Sequence, residues 1–168
     1  MLKSHFEKFG LAVDYEIDLP KLEAKFLELQ KQLHPDKHVN DSSDAKVQAF
    51  QAVLDVNEAY QVLKSDIARA EYLMQLAGFD CSKESIRNKT NSATLGEAFE
   101  DREQLESAQT SQELDAIAES TRRIIEKCRV EFSTNYRAKK LDAALDSFIT
   151  MRYKLKFLDE IQAKMKEI

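Results

Sequence analysis

The sequence predicts an all-α protein, with a small helical N-terminal domain followed by an antiparallel three-helix bundle. Three observations carry that expectation. Glycine occurs three times, proline twice and tryptophan not at all in 168 residues, too little turn chemistry for many short strands. Apolar residues recur at steps of three and four through most of the chain, the spacing of one helix face. Side chains suited to helix N-caps stand just ahead of several of these stretches.

Taken in order, Phe6, Phe9, Leu11, Val13 and Tyr15 form a short apolar opening. Asp18 is placed to cap a helix, and Pro20 is tolerated in its first turn. From there Leu22, Phe26, Leu29 and Leu33 draw one apolar stripe. Pro35 ends it, because proline lacks an N–H and pushes His34 out of the α region. Lys37 to Asp44 is polar and reads as an exposed loop. A second strong helix is expected to turn Phe50, Val53, Leu54, Tyr60 and Leu63 inward, with Asn57 beside them needing partners if buried.

Asp66 is expected to cap a shorter helix carrying Ala70, Leu73 and Leu76, and Gly78 suits its end. Cys81 to Asn91 shows no apolar face and reads as a linker. Thr94-Leu95-Gly96-Glu97 and Thr110-Ser111-Gln112-Glu113 both fit the S/T-x-x-E/Q capping box, although the first helix could also begin at Asn91 or Ser92. Leu114, Ile117, Ile124, Ile125, Cys128 and Phe132 give the middle helix a seam. Leu141, Leu145, Phe148, Leu155 and Leu158 do the same for the last. The expected division is a domain over 1–76, a linker over 77–91 and a three-helix domain over 92–168.

Composition narrows the function. A net charge of -5 and a pI near 5.3 argue against nucleic acid as partner, since phosphate binding needs a concentrated basic surface. No apolar run approaches the ~20 residues of a membrane span, so no membrane partner is expected. The opening residues mix acids with apolar side chains and lack a signal-peptide core, which makes the cytoplasm the expected location. Cys81 and Cys128 are far apart and outside any C-x-x-C pair. Buried or idle thiols are expected, with no disulfide framework, metal or cofactor.

His34-Pro35-Asp36 is the most informative stretch. A given tripeptide appears by chance in a chain of this length at roughly the one-per-cent level, so position must add to it. Here it closes a helix with a four-residue stripe and precedes a long helix reading DVNEAYQVL. This combination resembles the J domain, with Asn57, Ala59 and Tyr60 matching its N-x-A-Y signature, over roughly residues 1–76. The resemblance implies a co-chaperone that stimulates the ATPase of a DnaK-class chaperone. Pro35 limits the backbone, so His34 and Asp36 dock at lower entropic cost. No nucleophile or second carboxylate cluster accompanies them, so an enzyme is not expected. Lys21, Lys25 and Lys31 lie on the preceding helix and Lys37 follows the loop, with Glu23 and Glu28 interspersed. They form either a solvated face or, as the resemblance implies for Lys25 and Lys31, contacts to an acidic surface of the chaperone.

Arg69-Ala70-Glu71-Tyr72-Leu73, continuing through Leu76 to Asp80, is similar to the HscB type of J protein, and the Gly/Phe-rich segment of general DnaJ proteins does not follow it. Leu95 to Glu103 and Lys156-Phe157-Leu158-Asp159 resemble the first and last C-terminal helices of that type. The likeness spans essentially the whole chain. It implies a co-chaperone of iron–sulfur cluster biogenesis that binds the scaffold IscU and delivers it to the chaperone HscA. The paired-cysteine segment of the animal type does not precede it, which implies a bacterial-like version.

Leu95 and Phe99, four residues apart, share a face distinct from Ala98, Leu105 and Ala108. Periodicity alone leaves them as bundle core or as a surface pair. The resemblance implies the latter: an apolar patch of Leu95, Phe99 and Phe157 with an acidic rim of Glu97, Glu100 and Glu103. Gly96 departs from the family, which carries a bulky apolar residue there, and makes the expected patch smaller or centred on Phe99 and Phe157. Two other readings stay open from the residues, a J protein serving general DnaK with another client and a purely structural helical module.

Overall fold

The computed structural model describes residues 3–167, and eight α-helices and one 3₁₀ turn account for most of them, with no strand among the described residues. The chain divides into two compact units, Met1–Leu73 and Met74–Ile168.

In the first unit α1 (His5–Lys8) is a single turn. It is too short for periodicity to reveal, yet Ser4 and Glu7 cap it reciprocally, each side chain accepting the other's backbone N–H. α2 (Leu19–Gln32) starts on Asp18, whose carboxylate accepts from the Lys21 N–H at 2.9 Å, with Pro20 in the first turn. α3 (Ser43–Lys64) packs against α2 as a hairpin and also meets α1. Leu22, Val56, Tyr60 and Leu63 are buried with Phe6, Phe9 and Tyr15, and the Phe26 ring stacks on Tyr60 at 3.9 Å. Asn57 accepts a 3.4 Å hydrogen bond from Gln30 Nε2.

Two residues expected in this core are outside it. Phe50 is 64% exposed, and Leu54 is exposed as well. Each α-helical residue turns the chain by about 100°. The inward seam runs Val53, Val56, Tyr60 and Leu63, so Phe50 and Leu54 stand off it and share a stripe with exposed Val47.

α4 (Asp66–Leu76) is capped by Ser65, whose hydroxyl accepts from the Ala68 N–H, and not by Asp66. Asp66 lies inside the first turn and binds the guanidinium of buried Arg69 at 2.8 Å. Arg69 also donates to the carbonyl oxygens of Tyr15 and Leu63 and sits over the Tyr15 ring. One side chain thus ties the opening loop to the α3–α4 corner, and the buried charge is well answered.

In the second unit Gly78, at φ +92°, ends α4 with the paired bonds Gly78 N–H to Gln75 O and Phe79 N–H to Met74 O. The stretch read as a linker holds α5 (Lys83–Lys89), capped by Ser82 and burying Ile86, with Cys81 also buried. A two-turn helix with one apolar residue gives no period to read. α6 (Ser92–Ser107) is capped by Asn91, accepting from Thr94 N–H at 2.8 Å, so Thr94 is helical and buried and caps nothing. α7 (Ser111–Arg137) begins with the expected Thr110–Glu113 capping box. Backbone N–H bonds to Glu113 lower its carboxyl below its ordinary value. α8 (Leu141–Met165) lies along α7 and carries α6 on another side, completing a three-helix bundle.

Leu114, Ile125 and Phe132 of α7 and Leu145, Phe148 and Ile161 of α8 are buried. Each such side chain contributes about 1.5–3 kcal/mol. Cys128 is a buried free thiol, and burial raises its pKa. No helix among the described residues is long and apolar enough to cross a membrane.

Candidate functional site

Two surfaces carry the residues singled out by the sequence, one in each unit. In the first, α2 ends at Gln32 and Leu33 closes it, after which Pro35–Lys37 form a 3₁₀ turn. His34 stands just before the turn in extended conformation (φ -58°, ψ 135°), as the residue before a proline must. Its Nδ1 accepts the Asp36 backbone N–H at 3.3 Å and lies 3.4 Å from the Asp36 carboxylate. In the amide-accepting state the neutral ring carries its proton on Nε2, free to donate outward. His34, Pro35 and Asp36 are all exposed. The turn orders three groups that the protein's own core does not use.

Lys31 is exposed on the last turn of α2, and Lys25 pairs with Glu28 at 3.0 Å. Glu28 also accepts from Gln32 Nε2. The basic face is therefore partly neutralised at Lys25 and open at Lys31. Beside the turn lies an apolar groove of about 510 Å³, lined by Leu33, Pro35, Val39, Phe50 and Val53 with Lys46 at its rim. Sequence reading missed it by counting Phe50 as core; exposed Val39, alone in a polar loop, was the available signal.

In the second unit α6 turns Thr94, Ala98 and Leu105 toward the bundle, with Ala108 buried just beyond its end, and leaves Leu95 47% and Phe99 66% exposed. They border a groove of about 310 Å³ between α6 and α8. Phe157 is not a surface residue. It is only 5% exposed and packs with Ala108, Leu114, Ala118 and Ile161, because α8 is covered by both neighbouring helices there. It forms the floor of the groove, and Leu95 and Phe99 form the wall. Glu100 and Glu103 are exposed, whereas Glu97 leans to 3.5 Å from the Lys154 ammonium. Arg102, Tyr153 and Lys156 also line the groove, so its rim is mixed in charge. Their part was invisible in the sequence, since it depends on how α8 is rotated against α6.

The DnaJ domain model matches residues 10–72, and the model of the HSCB C-terminal oligomerisation domain matches residues 90–162. Chaperone HscB from Vibrio cholerae is 28% identical, with a TM-score of 0.86 over 98% of this chain and 99% of its own. The human co-chaperone HscB shares the fold at 21% identity, with a TM-score of 0.88 over 99% of this chain and 84% of its own. The Jac1 co-chaperone from Saccharomyces cerevisiae shares it at 18% identity, with a TM-score of 0.81 over 97% of this chain and 94% of its own.

An exposed His-Pro-Asp turn on an α2–α3 hairpin, in a unit matching the DnaJ domain, makes this a J-domain protein. With the second unit included, the chain belongs to the HscB-type J-domain co-chaperones, a type that serves iron–sulfur cluster assembly.

Proposed function

We propose that the protein binds the iron–sulfur scaffold IscU, delivers it to the DnaK-class chaperone HscA and stimulates that chaperone's ATPase. The observation that carries this reading is the ordered, exposed His34-Pro35-Asp36 turn. His34 and Asp36 dock on the chaperone, Pro35 keeps them presented, and Lys25 and Lys31 steer the encounter. Residues 1–76 serve as the chaperone-facing part and 92–168 as the scaffold-facing part, with 77–91 between them. Leu95 and Phe99 anchor IscU over the Phe157 floor, and Glu97, Glu100 and Glu103 supply the acidic rim. An exposed aromatic–aliphatic pair beside a groove has the makings of a binding hot spot. The protein itself performs no catalysis, and the cytoplasm is the proposed setting.

The test is steady-state ATP hydrolysis by HscA, and in parallel by general DnaK, with wild-type protein and with His34→Gln. The ring is exposed, so the variant is expected to keep its helical spectrum and melting temperature while losing stimulation of HscA. Undiminished stimulation sinks the docking role of the turn. Stimulation of DnaK alone would reassign the chaperone.

A further inference from the structure

The least expected side chain in the second unit is a buried lysine. Lys154, on α8, is 5% exposed at its side chain, and its ammonium reaches across to α6. It lies 2.7 Å from Asp101 and 3.5 Å from Glu97, two carboxylates one helical turn apart. Asp101 is itself largely covered. A buried ammonium is tolerated only where opposite charge meets it, so this contact is directional in a way that apolar packing is not.

The direction matters because of what stands on the other flank of α6. At about 100° per residue, Glu97 and Asp101 lie to one side of the line that faces the bundle, and Leu95 and Phe99 lie to the other. Turning α6 by roughly a third of a turn would lay Leu95 and Phe99 onto the bundle and carry both carboxylates away from α8. Removal of apolar surface from water favours that rotated state. The contact face now in use is modest: Thr94 meets Thr150 through their hydroxyls at 3.4 Å, Ala98 and Ala108 are small, and its large apolar side chain, Leu105, is only partly buried. Gly96 adds nothing to it, with no neighbour within 4 Å of where a Cβ would stand. Near the far end, Lys164 Nζ donates to the Leu105 and Glu106 carbonyls, a bond made to backbone and therefore less selective for rotation.

We infer that Lys154 is a positioning residue: its pairing with Asp101 and Glu97 holds α6 in the rotation that keeps Leu95 and Phe99 outside, available to a partner. The inference deepens the scaffold-binding reading and rests on it for the partner's identity. It gives Glu97, half exposed, an inward contact in addition to its place on the rim.

The chain contains no tryptophan, so Phe99→Trp places a single reporter on the patch. In the full-length protein with Lys154 intact, its emission is expected to be that of a solvated indole. Adding Lys154→Met, or Lys154→Met with Asp101→Ala, is expected to shift the emission to the blue as position 99 turns inward. In chains that keep Phe99, the same two changes are expected to weaken IscU binding by ~10-fold or more, which is ~1.4 kcal/mol or more. The double change leaves no buried orphan charge, so it is expected to restore melting temperature without restoring either readout. If it restores binding and a solvated indole, Lys154 serves stability only and the inference is overturned. An unshifted indole in both variants overturns it too. Should the unaltered protein not bind IscU, the partner reading fails, and the emission alone decides the role of Lys154.

Discussion

His34 and His5 show how two histidines of one unit differ by environment. His34 is exposed at the 3₁₀ turn, where its ring is available to another protein. His5 stacks on Tyr72 at 4.3 Å between ring centroids, donates its backbone N–H to the Tyr72 hydroxyl, and has an enclosed Nδ1 with no partner among the described residues. Burial, then nearby Lys8, pushes its pKa below 6.5, against opposing pulls from Glu58 and Asp55. Above pH 6.5 the ring is neutral folded or unfolded and has no effect on stability. Below it the unfolded chain takes up a proton that the folded unit resists, so stability falls as pH drops from 6.5 toward the lowered folded value. His5→Phe keeps the stacking and is expected to flatten this part of the pH dependence of the melting temperature. An equal acid-induced fall in both proteins would show that His5 does not titrate this way.

At the scale of elements, the helices most legible in the sequence are those whose signals are local. Asp18 before α2, Thr110 with Glu113 before α7 and Gly78 after α4 all act within a turn of themselves, and all were found where expected. Signals that depend on a neighbour were not legible. Phe50 and Phe157 are both aromatic residues near an apolar stripe, yet the first is exposed and the second buried. What separates them is which face another helix covers. α6 is the hardest element for the same reason. Much of its attachment to α8 is polar, through Thr94, Asp101 and Lys164's bonds to its last carbonyls, so apolar spacing under-describes it. Gly96 weakens that helix, and a side chain there would meet nothing within 4 Å. Gly96→Ala is expected to stabilise the second unit by about 1 kcal/mol in a denaturant titration. A loss of stability would mean that the face carrying position 96 is covered.

Over the whole molecule, the class of fold was legible from scarce turn residues and helical spacing, and the type of J protein from short runs of sequence in both units. The apolar groove beside Pro35, the burial of Phe157 and the inward lean of Glu97 needed the packed structure. We propose one recognition surface for each unit, a turn that acts on a chaperone and a helix face that holds its client. The most direct measurement is the ATPase rate of HscA with the wild-type protein and with Leu95→Ala/Phe99→Ala, each titrated with IscU. Without IscU the two proteins should stimulate equally, because the variant leaves His34-Pro35-Asp36 untouched. With IscU, the variant should need ~10-fold or more scaffold for the same further rise, as expected when exposed anchors are truncated. An identical response to IscU in both proteins would contradict the account.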